Sequence, residues 1–394
     1  MTKLRVAFTP ISRQLWAGGY NYQSNLFAAL NRYCKGEISP VLFTSPHSPI
    51  EELDALASIP GVEIVRSPAF DHRHANLISA VALGLDRRAA RAFRDAQIDV
   101  VFESARFFGW RLPLPAIAWF PDLQHRRLPH LFSPPARWRR ELGFRAQIAA
   151  HRTILLSSKS ALDDLRRLYP NLTNDVAVVQ FASEPAAHLL ALDALEVLAF
   201  YGLPNKFFFL PNHLWVHKNH RLVVRTIALL KERGLDVVVV ASGSLEEPRE
   251  PGYFESIMRD IKAQDLAGNF RHLGMIPLAH VYALLRTAIA LINPSEFEGW
   301  STTVEEAKSF GVPMILSNID VHIEQTNGMA RFFGVDDAEM LADHLAGAWA
   351  TSEPPQGRRV LPNAEIRVAA FAEDFVRLIR RIVAGGKPRL RRPL

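Results

Sequence analysis

Two carboxylates with seven residues between them, Glu298 and Glu306, lie in the chemically richest stretch of this 394-residue chain, NPSEFEGWSTTVEEAKSFGVP from Asn293 to Pro313. The stretch follows an apolar run and reads as a loop that opens a helix. Gly299 permits backbone conformations closed to other residues. Ser301, Thr302 and Thr303 are good N-cap residues, and Thr303-x-x-Glu306 has the form of a capping box. Gly311 stops the helix and Pro313 leads into the next strand. The unpaired N–H groups of a helix start favour phosphate. Glu298, in the loop, is placed to accept hydrogen bonds from hydroxyls, and Glu306 lies one turn inside the helix. A capping box alone would also account for Thr303 and Glu306.

A second stretch of this kind is Leu210-Pro211-Asn212-His213-Leu214-Trp215-Val216-His217-Lys218-Asn219-His220. It too follows an apolar run and precedes a helix. A cation at a helix N-terminus is mildly unfavourable, which favours a role for Lys218 beyond decoration of a surface. His213, His217 and His220 have no carboxylates beside them to complete a metal site.

The string Pro294-Ser-x-x-Glu298-Gly299 … Glu306-Ala307-x-x-x-Gly311-x-Pro313 resembles the Glu-x7-Glu motif of retaining glycosyltransferases with the two-domain GT-B fold. The continuation Leu316-Ser317-Asn318-Ile319-x-Val321-His322-x-Glu324-Gln325 is similar to a subgroup that builds bacterial surface polysaccharides. The resemblance implies that Glu298 lies by the donor sugar and Glu306 binds the ribose hydroxyls. It implies that backbone amides of Gly299, Trp300, Ser301, Thr302 and Thr303 hold the sugar and diphosphate. A carboxylate supplies the two acceptor oxygens that vicinal hydroxyls need. In the family an arginine and, six residues on, a lysine grip the diphosphate. Lys218 matches the lysine, but Asn212 stands where the arginine is. His217, His213 or an arginine elsewhere must then compensate. Glu324 and Gln325 resemble residues that end the donor-side loop.

Two sites are expected in the first half. Trp119-Phe120-Pro121-Asp122-Leu123-Gln124-His125 follows an apolar run, and Asp122 and His125 are the candidates for the acid or histidine that related enzymes place beside the reacting carbon. Asp122 as a turn cap is the structural alternative. Gly18 and Gly19, before a helix, let backbone approach a ligand. They do not complete a GxGxxG fingerprint.

The elements that must position these residues follow from the apolar pattern. Strands are expected at Arg5–Pro10, Pro40–Thr44, Val62–Arg66, Val100–Glu103, Ala116–Phe120, Thr153–Ser157 and Val176–Phe181, with helices near 20–33, 75–96, 135–151 and 159–168 between them. The plan repeats with strands at Phe207–Leu210, Val237–Ala241, Phe270–Leu273, Ile289–Ile292, Met314–Ser317 and Arg331–Phe333. The second set of helices is expected near 219–233, 253–265, 278–287, 302–310, 337–350 and 363–383. Continuous apolar strands separated by helices predict parallel sheets covered on both faces. The expected class is α/β: two Rossmann-like, doubly wound domains facing a central cleft, with ligands beyond the carboxyl ends of the strands. The domains are placed at 1–185 (acceptor) and 186–370 (nucleotide sugar). The final segment, 371–394, is read as a helix plus a basic tail, and the resemblance implies that this helix crosses back to the first domain.

Composition bounds the rest. With 48% hydrophobic and 22% charged residues this is an ordinary globular chain. One cysteine, Cys34, excludes an internal disulfide framework and a thiolate zinc site. No apolar run reaches about 18 residues, so no transmembrane helix is expected, and no secretory signal is read. Residues 1–190 hold 23 Lys and Arg against 16 Asp and Glu, while residues 377–394 hold seven cations and no acid. The arginine- and aromatic-rich run Pro134–Arg145 adds to this basic side. An anionic partner follows from it, and the absence of a recognition motif argues against nucleic acid.

The expectation is therefore a retaining hexosyltransferase with no metal or cofactor requirement. Its donor is a nucleoside diphosphate sugar, with GDP-mannose favoured by the resemblance alone. Its acceptor is a lipid-linked saccharide or polysaccharide of a bacterial surface glycan such as O-antigen. The expected location is the cytoplasm, with peripheral attachment to an anionic membrane surface. A sugar-nucleotide epimerase, a phosphorylase and a non-catalytic sugar-nucleotide-binding module share the architecture and are the alternatives.

Overall fold

The computed structural model describes residues 3–13, 16–48, 50–71, 80–104, 106–247, 249–353 and 357–385. The chain divides into two compact units. The first comprises Met1–Pro129, Pro134–Ala182 and Ile366–Leu394, and the second His130–Ser133 and Ser183–Glu365. The first part of the helix expected near 75–96 and the tail beyond 385 lie outside the described residues.

The first unit holds seven strands: β1 Leu4–Phe8, β2 Ile38–Thr44, β3 Glu63–Arg66, β4 Val100–Glu103, β5 Ala116–Trp119, β6 Thr153–Leu156 and β7 Val176–Val178. They form one parallel sheet in the order β3-β2-β1-β4-β5-β6-β7. β4 and β5 are buried at every residue, as helices on both faces require. The helix Asn363–Ala384 belongs to this core: Phe375 stacks on Phe8 at 6.3 Å and Phe371 meets Tyr22 at 5.8 Å.

The second unit holds β8 Phe208–Leu210, β9 Val239–Ala241, β10 Phe270–His272, β11 Leu291–Asn293, β12 Met314–Ser317 and β13 Arg331–Phe333, all parallel, in the order β10-β9-β8-β11-β12-β13. Successive side chains on a strand point to opposite faces. Phe208 and Leu210 accordingly enter one core with Val223, Ile227 and Leu341, while Phe207 and Phe209 enter the other with Leu284, Val304 and Phe310. In this sheet β8 and β11 are neighbours although β9 and β10 lie between them in the sequence. The winding reverses between them, which makes the space beyond their carboxyl ends the expected ligand site. Both are sheets of the doubly wound, Rossmann-like kind.

Candidate active site

The loops leaving β8 and β11 are the two stretches singled out by their chemistry. After β8 the chain makes a 3-10 turn, Val216–Lys218, and then passes through Asn219 in the left-handed region (φ 54°) into the helix His220–Glu232. An asparagine tolerates this conformation because its short amide bonds locally. Here the Asn219 amide donates to the Val335 carbonyl at 2.8 Å. The sharp turn sets Lys218 at the strand end.

Lys218 meets Glu298 from the β11 loop, Nζ to Oε1 at 2.5 Å. The same oxygen accepts from Ser295 Oγ at 2.8 Å. Asn293 links both strand ends: its Oδ1 accepts from Asn212 Nδ2 at 3.2 Å, and its Nδ2 donates to Ser301 Oγ at 3.0 Å. Asn212 is 5% exposed and works inside this neutral network. Burial alone would raise the Glu298 pKa, but Lys218, then His322, hold it at about 2. His322 is itself enclosed, bonded through Nδ1 to Ser317, and burial lowers its pKa to about 4.

The helix Thr302–Phe310 begins as expected, and Gly311 ends it in the left-handed conformation (φ 63°). The capping box is not formed. Ser301 is the N-cap and makes no side-chain cap bond. Its hydroxyl is taken up with Asn293 and with Thr303 Oγ1 at 3.1 Å. Thr303 therefore lies within the first turn, and no side chain caps that turn. Gln325 brackets Ser301 from the side: Nε2 donates to the Ser301 carbonyl at 2.7 Å and Oε1 accepts from its N–H at 3.2 Å. Glu305 Oε1 accepts from Gln325 Nε2 and from Lys308 Nζ, which ties the helix to Asp320–Thr326. Gly299 and Trp300 are half-buried beside this bracket.

Glu306 is 8% exposed, and among the described residues no side chain or backbone group donates to it. Burial raises its pKa to about 8. A buried carboxylate without donors is costly unless a ligand supplies them.

The histidines of the β8 loop are held neutral. Burial, then Lys218, lowers His213 and takes His217 well below the ordinary value. His220 is fully buried, and burial brings it to about 3. Beside His217 stands a pair the sequence reading did not single out. Glu247 accepts from Val216 N, Arg249 N and Arg249 Nε, and Arg249 Nη2 lies 3.3 Å from His217 Nδ1. Two residues apart and far from either motif, they give no local pattern that would have marked them.

In the first unit Gly18 and Gly19 lie in the first turn of the helix Ala17–Tyr33, not before it. The room they leave is filled by Trp16: a Cβ on Gly19 would stand 2.4 Å from its ring, whereas one on Gly18 would lie 3.4 Å from Trp16 Nε1. Trp16 in turn stacks on Trp119, and Trp119 on Tyr22, with ring centroids 5.2 and 4.2 Å apart. Asp122 is partly exposed. Its Oδ1 accepts from Gln124 N at 2.8 Å and from Arg140 Nη2 at 2.7 Å. His125 is fully buried, with Nε2 3.2 Å from Glu141 Oε2. Glu141 also takes Tyr169, Arg145 and Arg126. Burial, then Arg140, lowers the His125 pKa.

Residues 196–356, within the second unit, match the family described as glycosyl transferases group 1. A glycosyltransferase from Rickettsia africae superposes on 98% of this chain and 100% of its own, with 13% identity and a TM-score of 0.70. The sucrose-phosphate synthase of Thermosynechococcus elongatus covers 98% of this chain and 100% of its own, at 16% identity and a TM-score of 0.69. The Anabaena protein HepE, solved with UDP-glucose, covers 97% of this chain and 98% of its own, at 13% identity and a TM-score of 0.63. No curated protein sequence matches the chain. At these identities the likeness establishes the fold, two parallel-sheet Rossmann-like domains of the GT-B kind.

Proposed function

We propose that this chain is a retaining glycosyltransferase that moves a hexose from a nucleoside diphosphate sugar to a lipid-linked saccharide or polysaccharide. One observation carries the reading. At the switch point of the second sheet, inside the segment that matches glycosyl transferases group 1, an uncapped helix start lies between two buried carboxylates of opposite character, Glu298 paired with Lys218 and Glu306 without a donor.

Each part has a role. The ribose diol donates to Glu306 and satisfies it. The first-turn amides and Lys218 face the diphosphate. Glu298, ionised and held by Lys218 and Ser295, accepts from sugar hydroxyls. In the transfer the bond from the anomeric carbon to the β-phosphate oxygen breaks, a bond to the acceptor oxygen forms on the same face, and the acceptor proton passes to the departing phosphate. Fixed cations and dipoles stabilise the charge that develops on that phosphate, so no divalent metal is required. Asp122, partly exposed at the end of β5, is the better placed of the two first-unit candidates to meet a ligand, while His125 supports its loop from within.

GDP-mannose is the favoured donor by resemblance, and the HepE complex puts UDP-glucose beside it in any test. For the acceptor side, the helix Pro134–Ala149 exposes Trp138 and Leu142, one turn apart, at 58% and 59%, next to exposed Arg137 and Arg139. Such a surface suits an anionic membrane carrying a lipid-linked acceptor. Among the described residues no helix is long and apolar enough to cross a membrane.

The reading is tested by incubating the protein with GDP-mannose or UDP-glucose and a bacterial lipid-linked saccharide fraction. Transfer of label to the lipid fraction supports it. A changed free sugar nucleotide made without acceptor, or turnover that needs orthophosphate, would instead favour the epimerase or phosphorylase alternative.

A further inference from the structure

A nucleoside diphosphate carries two or more negative charges, and the site as built so far does not match them. Of the positions that the motif marks for a diphosphate, Lys218 carries a cation, 2.5 Å from Glu298. Asn212, at the position where a second cation is expected, is buried and spends its amide on Asn293. A second cation from another segment of the same unit would complete the grip.

We propose that Arg249 supplies this second cation, gripping the donor diphosphate beside Lys218. The inference rests on the donor-site reading above. The positioning is specific. The Arg249 guanidinium lies 3.3 Å from the imidazole of His217, the residue that immediately precedes Lys218 in the 3-10 turn. It stands over the Trp215 ring at 5.5 Å. Its side chain is 24% exposed. Glu247, whose side chain is 1% exposed, grips the guanidinium by Nε at 2.8 Å and Nη2 at 3.0 Å. The same carboxylate accepts Val216 N at 3.0 Å, so one buried acid fixes both the arginine and the turn that carries Lys218. A guanidinium is a rigid planar fork, so holding one edge aims the whole group. Pre-orientation of this kind reduces the ordering cost of binding. His217 is buried beside Arg249, and burial, then Lys218, keeps it neutral, so it adds no charge of its own.

The test uses the full chain and measures binding of UDP and GDP, of the matching nucleosides uridine and guanosine, and of inorganic pyrophosphate by calorimetry. A charge-assisted hydrogen bond contributes about 1.5–3 kcal/mol. Arg249→Ala should therefore weaken the preferred nucleoside diphosphate and pyrophosphate by roughly 10- to 100-fold and leave the nucleoside unchanged. Arg249→Lys keeps the charge without the fork and should lose less. It also serves if the alanine variant does not fold. The proposal is overturned if the folded variants bind the diphosphate as the wild type does, or if nucleoside affinity falls in step. If the wild type itself binds no diphosphate, the donor-site reading fails and takes this proposal with it.

Discussion

Glu298 and Glu306 stand at the two ends of one loop-to-helix turn in opposite protonation states. Lys218, 2.5 Å from Glu298, holds that carboxyl near pKa 2 against its burial, while Glu306, equally enclosed and without a counter-charge, is pushed up to about 8. At neutral pH one is an anion and the other an acid. The difference separates their tasks and makes each testable by pH.

Glu306 should destabilise the unligated protein at high pH. Its folded pKa lies above its unfolded value, so the folded state holds the extra proton between about pH 4.5 and 8. Stability is then lost as pH rises through that window. Glu306→Gln should melt like the wild type near pH 4.5 and progressively higher above it. The difference should be on the order of a few kcal/mol above pH 8. Melting curves of the two proteins across pH check this. Parallel curves would contradict it.

Donor binding should be linked to the same proton. The ionised carboxylate accepts from ribose hydroxyls more strongly than the protonated acid does, so a bound nucleotide lowers the Glu306 pKa and releases a proton. Affinity should rise with pH up to about 8 and then level. Calorimetry in buffers of different ionisation enthalpy should show proton release near pH 7 in the wild type and none in Glu306→Gln.

Lys218→Ala should leave Glu298 buried without its partner. The folded pKa of Glu298 lies below its unfolded value, so this pair contributes stability above about pH 4.5 that is lost as pH falls towards 2. The variant should lose about 3–5 kcal/mol at pH 7. The double variant Lys218→Met with Glu298→Gln should recover most of that stability and none of the activity. Chemical denaturation of the three proteins separates packing from chemistry.

Gly19→Ala should destabilise the first unit by about 1–3 kcal/mol, since the new methyl stands 2.4 Å from the Trp16 ring. Gly18→Ala meets ordinary contact at 3.4 Å and, being helical, should be neutral or slightly stabilising. In a Trp16→Ala background, which itself loses the stack on Trp119, Gly19→Ala should add no further cost. Thermal melts of Gly18→Ala, Gly19→Ala, Trp16→Ala and the Trp16→Ala, Gly19→Ala double variant read this out.

Much of this was legible in the sequence because it is local. The alternation of short apolar runs and helices predicts both parallel sheets, and strand ends shift by at most three residues because ladder bonding, not hydrophobicity, sets them. The helix 302–310 and its stop at Gly311 are read correctly from the glycine. What distant residues decide was not legible. Ser301 is the N-cap, and its side chain makes no cap bond while Asn293, in the preceding strand, donates to its hydroxyl. His125 is enclosed by Glu141, sixteen positions on. The diglycine serves Trp16, whose ring folds back over its own helix. Arg249 and Glu247 acquire their place only when the β9 and β8 loops are brought together.

The account stands or falls on whether the second unit holds a sugar nucleotide through Glu306. Melting temperature should be measured with a panel of UDP-, GDP- and dTDP-linked hexoses, for the wild type and Glu306→Gln. A ligand that binds only the folded state raises the midpoint, with the stabilisation growing as the logarithm of its concentration over Kd. At least one base should raise the wild-type midpoint by several degrees and leave the variant unmoved. No shift from any sugar nucleotide at millimolar concentration, or an equal shift in the variant, would contradict it.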